Sequence, residues 1–116
     1  MNNAEGRKSR YLRDALPIRI GGLAANLARV SSFSKIDGAR SAVTGLIEES
    51  KFFIEWTAIE HDLSTTVELI GIQRILANWH LNIDLIWRDS VKRNEIGDRA
   101  KKISDRLLLK SGLLDQ

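Results

Sequence analysis

Residues 69–87, which read LIGIQRILANWHLNIDLIW, decide the fold of this chain. Large apolar side chains recur there at alternating spacings of three and four, the repeat of a helix face that packs against other helices. The spacing predicts one long helix from about residue 64 to residue 87 or 89. The row consists of Leu69, Ile72, Leu76, Trp79, Ile83 and Ile86, flanked by Ile75 and Trp87.

The same helix carries a second apolar row on another side, formed by Val67, Ile70, Ala77, Leu81 and Leu85. A helix that is apolar on most of its circumference is either buried or shared with a partner. Because a helix in a four-helix monomer normally keeps one face in water, the second row favours self-association.

Three further helical segments surround this stretch. The first begins near Asp14, with Pro17 in its first turn, and the second runs from Asp37 to about residue 60. The last begins between residues 90 and 95, and Gly112 is typical of its end. Their apolar rows are Leu16, Ile20, Leu23, Leu27 and Val30; Ala39, Val43, Leu46, Ser50, Phe53 and Thr57; and Ile96, Ala100, Ile103 and Leu107.

Short connections between these segments favour antiparallel neighbours. The sequence lacks the period-two alternation of strands. We therefore predict an all-α fold, an antiparallel up-down-up-down four-helix bundle that forms a single domain over residues 14–116. Residues 1–13 are predicted to be a flexible basic N-terminal segment.

Composition excludes several classes of protein. The chain has 116 residues and no cysteine, which excludes disulfides, thiolate metal ligands and cysteine nucleophiles. Its first residues contain no apolar run like that of a secretory signal. Its apolar runs are far shorter than the roughly 20 residues of a membrane span. These features predict a cytoplasmic protein without a membrane partner.

Charge is distributed unevenly along the chain. Residues 1–40 hold eight Lys/Arg and three acids, residues 41–87 hold two and seven, and residues 88–116 hold eight and five. Acidic middle helices that lie beside basic outer helices would largely neutralise them. The alternative is one cationic patch, formed by both ends, that binds nucleic acid without sequence specificity.

Two sets of apolar residues are candidate partner interfaces. Phe52, Trp56 and Ile59 point away from the predicted core face of the second helix, so they need a cover. That cover is either the N-terminal segment, with Tyr11 and Leu12, or another subunit. Large aromatic anchors are typical of interaction hot spots. The second set comes from the outer row of the third helix, at Leu81 and Leu85.

A polar seam lies between the two apolar rows of the third helix. Gln73, His80 and Asp84 share one face there, and His80 and Asp84 have the spacing of a side-chain pair that can hydrogen-bond. Such a pair orients an imidazole for ligand binding or for proton transfer. The competing interpretation is a satisfied polar network or a wetted stripe.

The sequence contains no catalytic motif. Di-iron helical bundles need two Glu-x-x-His pairs, whereas this chain has only two histidines, and neither completes that motif. Glu60, His61 and Asp62 adjoin one another at a helix end, where capping and solvation account for them. We therefore expect no enzymatic activity, no metal and no cofactor.

Two stretches carry a resemblance to other proteins. Residues 16–29, LPIRIGGLAANLAR, and residues 51–58, KFFIEWTA, resemble small uncharacterised all-α proteins of photosynthetic bacteria, and the likeness extends over about residues 16 to 114. It implies a bacterial cytoplasmic protein and transfers no activity or site.

The function predicted from these features is a non-enzymatic protein–protein interaction or assembly module, either a homo-oligomer or the partner of another protein. The alternative is a protein that binds a small ligand through the polar seam, or nucleic acid through the basic ends.

Overall fold

A computed structural model describes residues 3–113 of the chain. This part consists of α-helices and short turns and contains no strand, which confirms the predicted all-α class. The helices are α1 (Asn3–Arg13), α2 (Leu16–Phe33), α3 (Arg40–Thr57), α4 (Leu63–Leu81), α5 (Ile83–Trp87) and α6 (Ser90–Ser111). Single 3₁₀ turns at Asp37–Ala39 and Ala58–Glu60 precede and follow α3.

The apolar rows read from the sequence form one buried core. Burial of each large apolar side chain contributes roughly 1.5–3 kcal/mol relative to exposure, so these rows hold the helices together. Fully or almost fully buried members are Ile20, Leu23, Leu27 and Val30 of α2, Val43 of α3, Leu69, Ile72, Leu76 and Trp79 of α4, and Ile96, Ala100 and Leu107 of α6. In α3 the core also includes Ile47 and Ile54, which lie beside the predicted row, whereas Leu46 and Phe53 of that row are only partly buried.

Helices α2 and α6 run antiparallel in close contact. The Ser104 hydroxyl donates a hydrogen bond of 2.7 Å to the carbonyl of Ala24, and Gly97 lies against Ser31 and Ser34. An earlier residue of α2 therefore meets a later residue of α6. Glycine at position 97 permits this approach because a Cβ there would overlap the Ser34 side chain.

Helix α3 is antiparallel to both α2 and α4. On the α2 side, the Asn26 amide donates to Glu49 Oε1 at 3.0 Å. On the α4 side, the Gln73 amide donates to the carbonyl of Lys51 at 3.2 Å, and the Thr66 hydroxyl donates to the carbonyl of Ala58 at 2.5 Å. Position 66 of α4 thus meets the end of α3, and position 73 meets its middle.

The N-terminal residues were predicted to be flexible, and the structure has helix α1 there. Tyr11 is buried and stacks on Phe53 of α3, with ring centroids 4.0 Å apart and planes 7° apart. Its hydroxyl donates to the carbonyl of Arg19 at 3.0 Å. These contacts attach α1 to the core. The domain boundary predicted at residue 14 lies between α1 and the helices on which α1 packs.

Hydrogen bonds from Arg19 connect α2 to α1 and to the end of α3. Its Nε donates to the carbonyl of Asp14 at 2.8 Å, and its Nη2 donates to the carbonyl of Leu12 at 2.8 Å. Its Nη1 donates to Thr57 Oγ1 at 3.1 Å and to Glu60 Oε2 at 2.7 Å. A buried guanidinium needs such partners, because an unpaired buried charge is strongly destabilising.

The predicted long third helix is two helices. Helix α4 ends at Leu81, and Asn82, with φ −104° and ψ 14°, separates it from α5. The Asn82 amide donates to the carbonyl of Asn78 at 2.9 Å, a local bond that competes with continued helix. Helix α6 then begins at Ser90, where the Asp89 carboxylate accepts from the backbone N–H of Val91 at 2.9 Å.

The end of α6 agrees with the prediction. Gly112 follows the helix with φ 74°, in the left-handed region that favours glycine. Within residues 3–113, no helix is both long enough and apolar enough to cross a membrane.

Candidate interaction surface

The side of α4 that faces away from the core carries a row of exposed apolar residues. At 100° per residue these positions fall within a sector of about 80°, opposite the buried row that contains Leu69, Ile72 and Leu76. We call the row the outer stripe. It consists of the apolar residues Leu63, Val67, Ile70, Ala77 and Leu81, and it is interrupted by the charged Arg74.

The outer stripe is well exposed along its length. The exposed fraction is 80 % at Leu63, 61 % at Val67, 50 % at Ile70 and 84 % at Leu81. With a rise of 1.5 Å per residue, the row is about 27 Å long. Arg74 and Ala77 separate Ile70 from Leu81, so the large apolar side chains form one cluster at Leu63, Val67 and Ile70 and a single residue at Leu81. Exposed apolar patches on a folded domain are characteristic of interaction sites.

The second apolar row predicted from the sequence coincides largely with the outer stripe. Val67, Ile70, Ala77 and Leu81 belong to both, whereas Leu85 lies on α5 and is also exposed. Leu63 was missed, although its spacing of four from Val67 continues the repeat.

The aromatic interface candidates have a cover within the chain. Phe52 and Trp56 are half-buried and stack on each other with centroids 5.4 Å apart. Tyr11 of α1 lies 6.1 Å from Trp56 and stacks on Phe53. Of the two covers anticipated, the N-terminal segment supplies one. Ile59 differs from them, because it is 89 % exposed in the turn that precedes α4.

The polar seam residues all turn towards α3, and they do not form one site. His80 Nδ1 lies 3.4 Å from Lys51 Nζ, and the Gln73 amide donates to the carbonyl of Lys51. Asp84, which lies beyond the break at Asn82, pairs instead with Arg40. In place of the predicted contact between His80 and Asp84, the structure has separate contacts of each residue with α3.

The edge of the outer stripe nearest α6 carries both charges, since Glu95 and Asp98 line one groove together with Arg99 and Lys102. Arg74 and Arg99 line a groove of about 330 Å³ between α4 and α6, together with Ile75, Asn78 and Trp79. Lys102 lies one helical turn beyond Arg99. Among residues 3–113, no carboxylate lies within 4.0 Å of these three cations. Their charges are therefore available to a ligand or partner.

The opposite edge of the outer stripe, formed by α3, carries two exposed acids with a lysine between them. Glu48 and Glu55 of α3 are exposed and lie three residues before and four residues after Lys51, which contacts α4. This spacing places both carboxylates on the α3 face that borders α4. Both edges of the outer stripe therefore carry charged residues of both signs.

A smaller pocket of about 180 Å³ lies at the start of α4, and His61 and Lys110 are among its lining residues. Burial lowers the pKa of His61, and the charge of Arg19 lowers it further, against the opposing effect of Asp62 and Glu60. Within residues 3–113, no group of three or more His, Asp or Glu side chains is placed to hold a metal ion.

No protein-family model matches this chain, and no curated protein or solved structure matches it significantly. The resemblance to small proteins of photosynthetic bacteria therefore stays a prediction. Function is accordingly inferred from the residues themselves.

Proposed function

We propose that this protein is a non-enzymatic protein–protein interaction module and that its docking surface is the outer stripe of α4. One observation carries the proposal. Four large apolar side chains at heptad spacing, from half to more than four-fifths exposed, lie opposite the buried face of α4, three of them in its first two turns and Leu81 at its end.

Burial energetics support this function. Covering a large aliphatic side chain contributes roughly 1.5–3 kcal/mol when burial is complete. Four such residues, Leu63, Val67, Ile70 and Leu81, together supply several kcal/mol to set against the entropy lost on association. A helix laid along the row reaches all of them at once, since its own apolar residues recur with the same spacing.

The support beneath the outer stripe is rigid, which favours a docking role. We propose that α2, α3, α4 and α6 form an antiparallel up-down-up-down bundle. The antiparallel contacts of α2 with α3, α3 with α4, and α6 with α2 support this topology, as do the bonds from Arg106 and Lys110 of α6 to Glu68 of α4. Packed helices restrict movement of α4, so a partner meets a preformed surface.

The test compares two double variants. Val67→Gln with Leu81→Gln removes apolar surface from the outer stripe, whereas Ile18→Gln with Ile36→Gln removes exposed apolar surface elsewhere. Light scattering behind a sizing column gives the solution mass of each protein, alone over a wide concentration range and after mixing with an extract of source cells. We expect assembly with the wild type and with the control, and its loss with the stripe variant.

Both variants should remain folded, because substitutions at exposed sites usually change stability by less than about 0.5 kcal/mol. Circular dichroism and thermal unfolding check this. Assembly of the stripe variant to the same mass as the wild type would contradict the proposal. Unfolding of the stripe variant would also contradict it, since Val67 and Leu81 would then stabilise the monomer.

A further inference from the structure

We draw no further inference here: the strongest candidate, the cavity of about 180 Å³ where the starts of α2 and α4 meet the end of α6, selects no class of ligand, because Asp62 and Lys110 on its wall carry opposite charges and His61 Nε2, which has no hydrogen-bond partner among the described residues, is inaccessible to a ligand.

Discussion

Gly97 is the position where a single methyl group decides how closely two helices pack. A Cβ there would overlap Ser34 Oγ and lie 3.3 Å from the carbonyl oxygen of Ser31. Ser34 is fully buried, and its hydroxyl donates to the Ser31 carbonyl at 2.7 Å, so it has no open space to move into. Crowding of this kind typically destabilises a core by about 1–3 kcal/mol.

We expect Gly97→Ala to lower the free energy of unfolding by about 1–2 kcal/mol, because crowding exceeds the gain of about 1 kcal/mol in helix propensity. Gly45→Ala is the matched control. It lies within α3 with nothing near its added Cβ, so it should raise the free energy of unfolding by about 0.5–1 kcal/mol. Urea unfolding measures both. An increase in stability for Gly97→Ala equal to that of the control would show that α2 and α6 separate easily.

The contacts of Arg19 show what the spacing of residues does not predict. The spacing of Ile20, Leu23 and Leu27 predicted the buried face of α2 because periodicity alone determines which side chains share a face. The partners of Arg19 belong to three other segments, at Leu12, Thr57 and Glu60. No local pattern in the sequence indicates such contacts.

At the scale of secondary-structure elements, the packing of α1 against α3 depends on Tyr11. Its ring is stacked between α1 and α3, and its hydroxyl bonds to Arg19. We expect Tyr11→Ala to destabilise the protein by about 3 kcal/mol, a usual loss for a buried aromatic ring. Tyr11→Phe should lose only about 1 kcal/mol, the contribution of one hydrogen bond.

Hydrogen exchange and urea unfolding measure these effects together. With Tyr11→Ala, amides of α1 should exchange faster while those of α2 and α6 stay protected, and Trp56 fluorescence should shift towards that of an exposed indole. If Tyr11→Ala changed neither stability nor Trp56 fluorescence, α1 would not be packed on α3.

The division between α4 and α5 shows why helix boundaries are harder to predict than helix faces. The heptad row continues through Ile83 and Ile86, so apolar spacing gives no sign of a break. Both residues are buried although Asn82 interrupts the helix, because the short α5 keeps the same side towards the core. Asn82 was the available signal, since asparagine is among the weaker helix formers.

At the scale of the whole molecule, part of the charge asymmetry along the chain is neutralised by ion pairs between its segments. Arg7 pairs with Glu49, Arg40 with Asp84, and Arg106 with Glu68. Each pair joins a basic terminal segment to the acidic middle segment, as expected if these segments neutralise each other. Composition predicted this arrangement, whereas the unpaired cations beside the outer stripe emerged only once the helices were placed.

His61 and Glu68 are two of the groups that make the stability of the molecule depend on pH. Burial and the charge of Arg19 lower the pKa of His61. As the pH falls, His61 is therefore protonated in the unfolded chain, at about pH 6.5, before it is protonated in the folded protein. Burial tends to raise the pKa of Glu68, but hydrogen bonds from Lys110 and Arg106 outweigh it and lower the pKa overall. As the pH falls, Glu68 is therefore also protonated in the unfolded chain, at about pH 4.3, before it is protonated in the folded protein.

In both cases the unfolded state binds more protons, so stability falls as pH falls. We expect the free energy of unfolding to be greatest near neutral pH, to decline first below about pH 6.5 and to decline further below about pH 4.3. Urea unfolding across this range measures both stages. His61→Gln should remove the first stage and Glu68→Gln should reduce the second. If His61→Gln retained the full decline between neutral pH and pH 5, a different group would be responsible, and the pocket at the start of α4 would accommodate a protonated imidazole without loss.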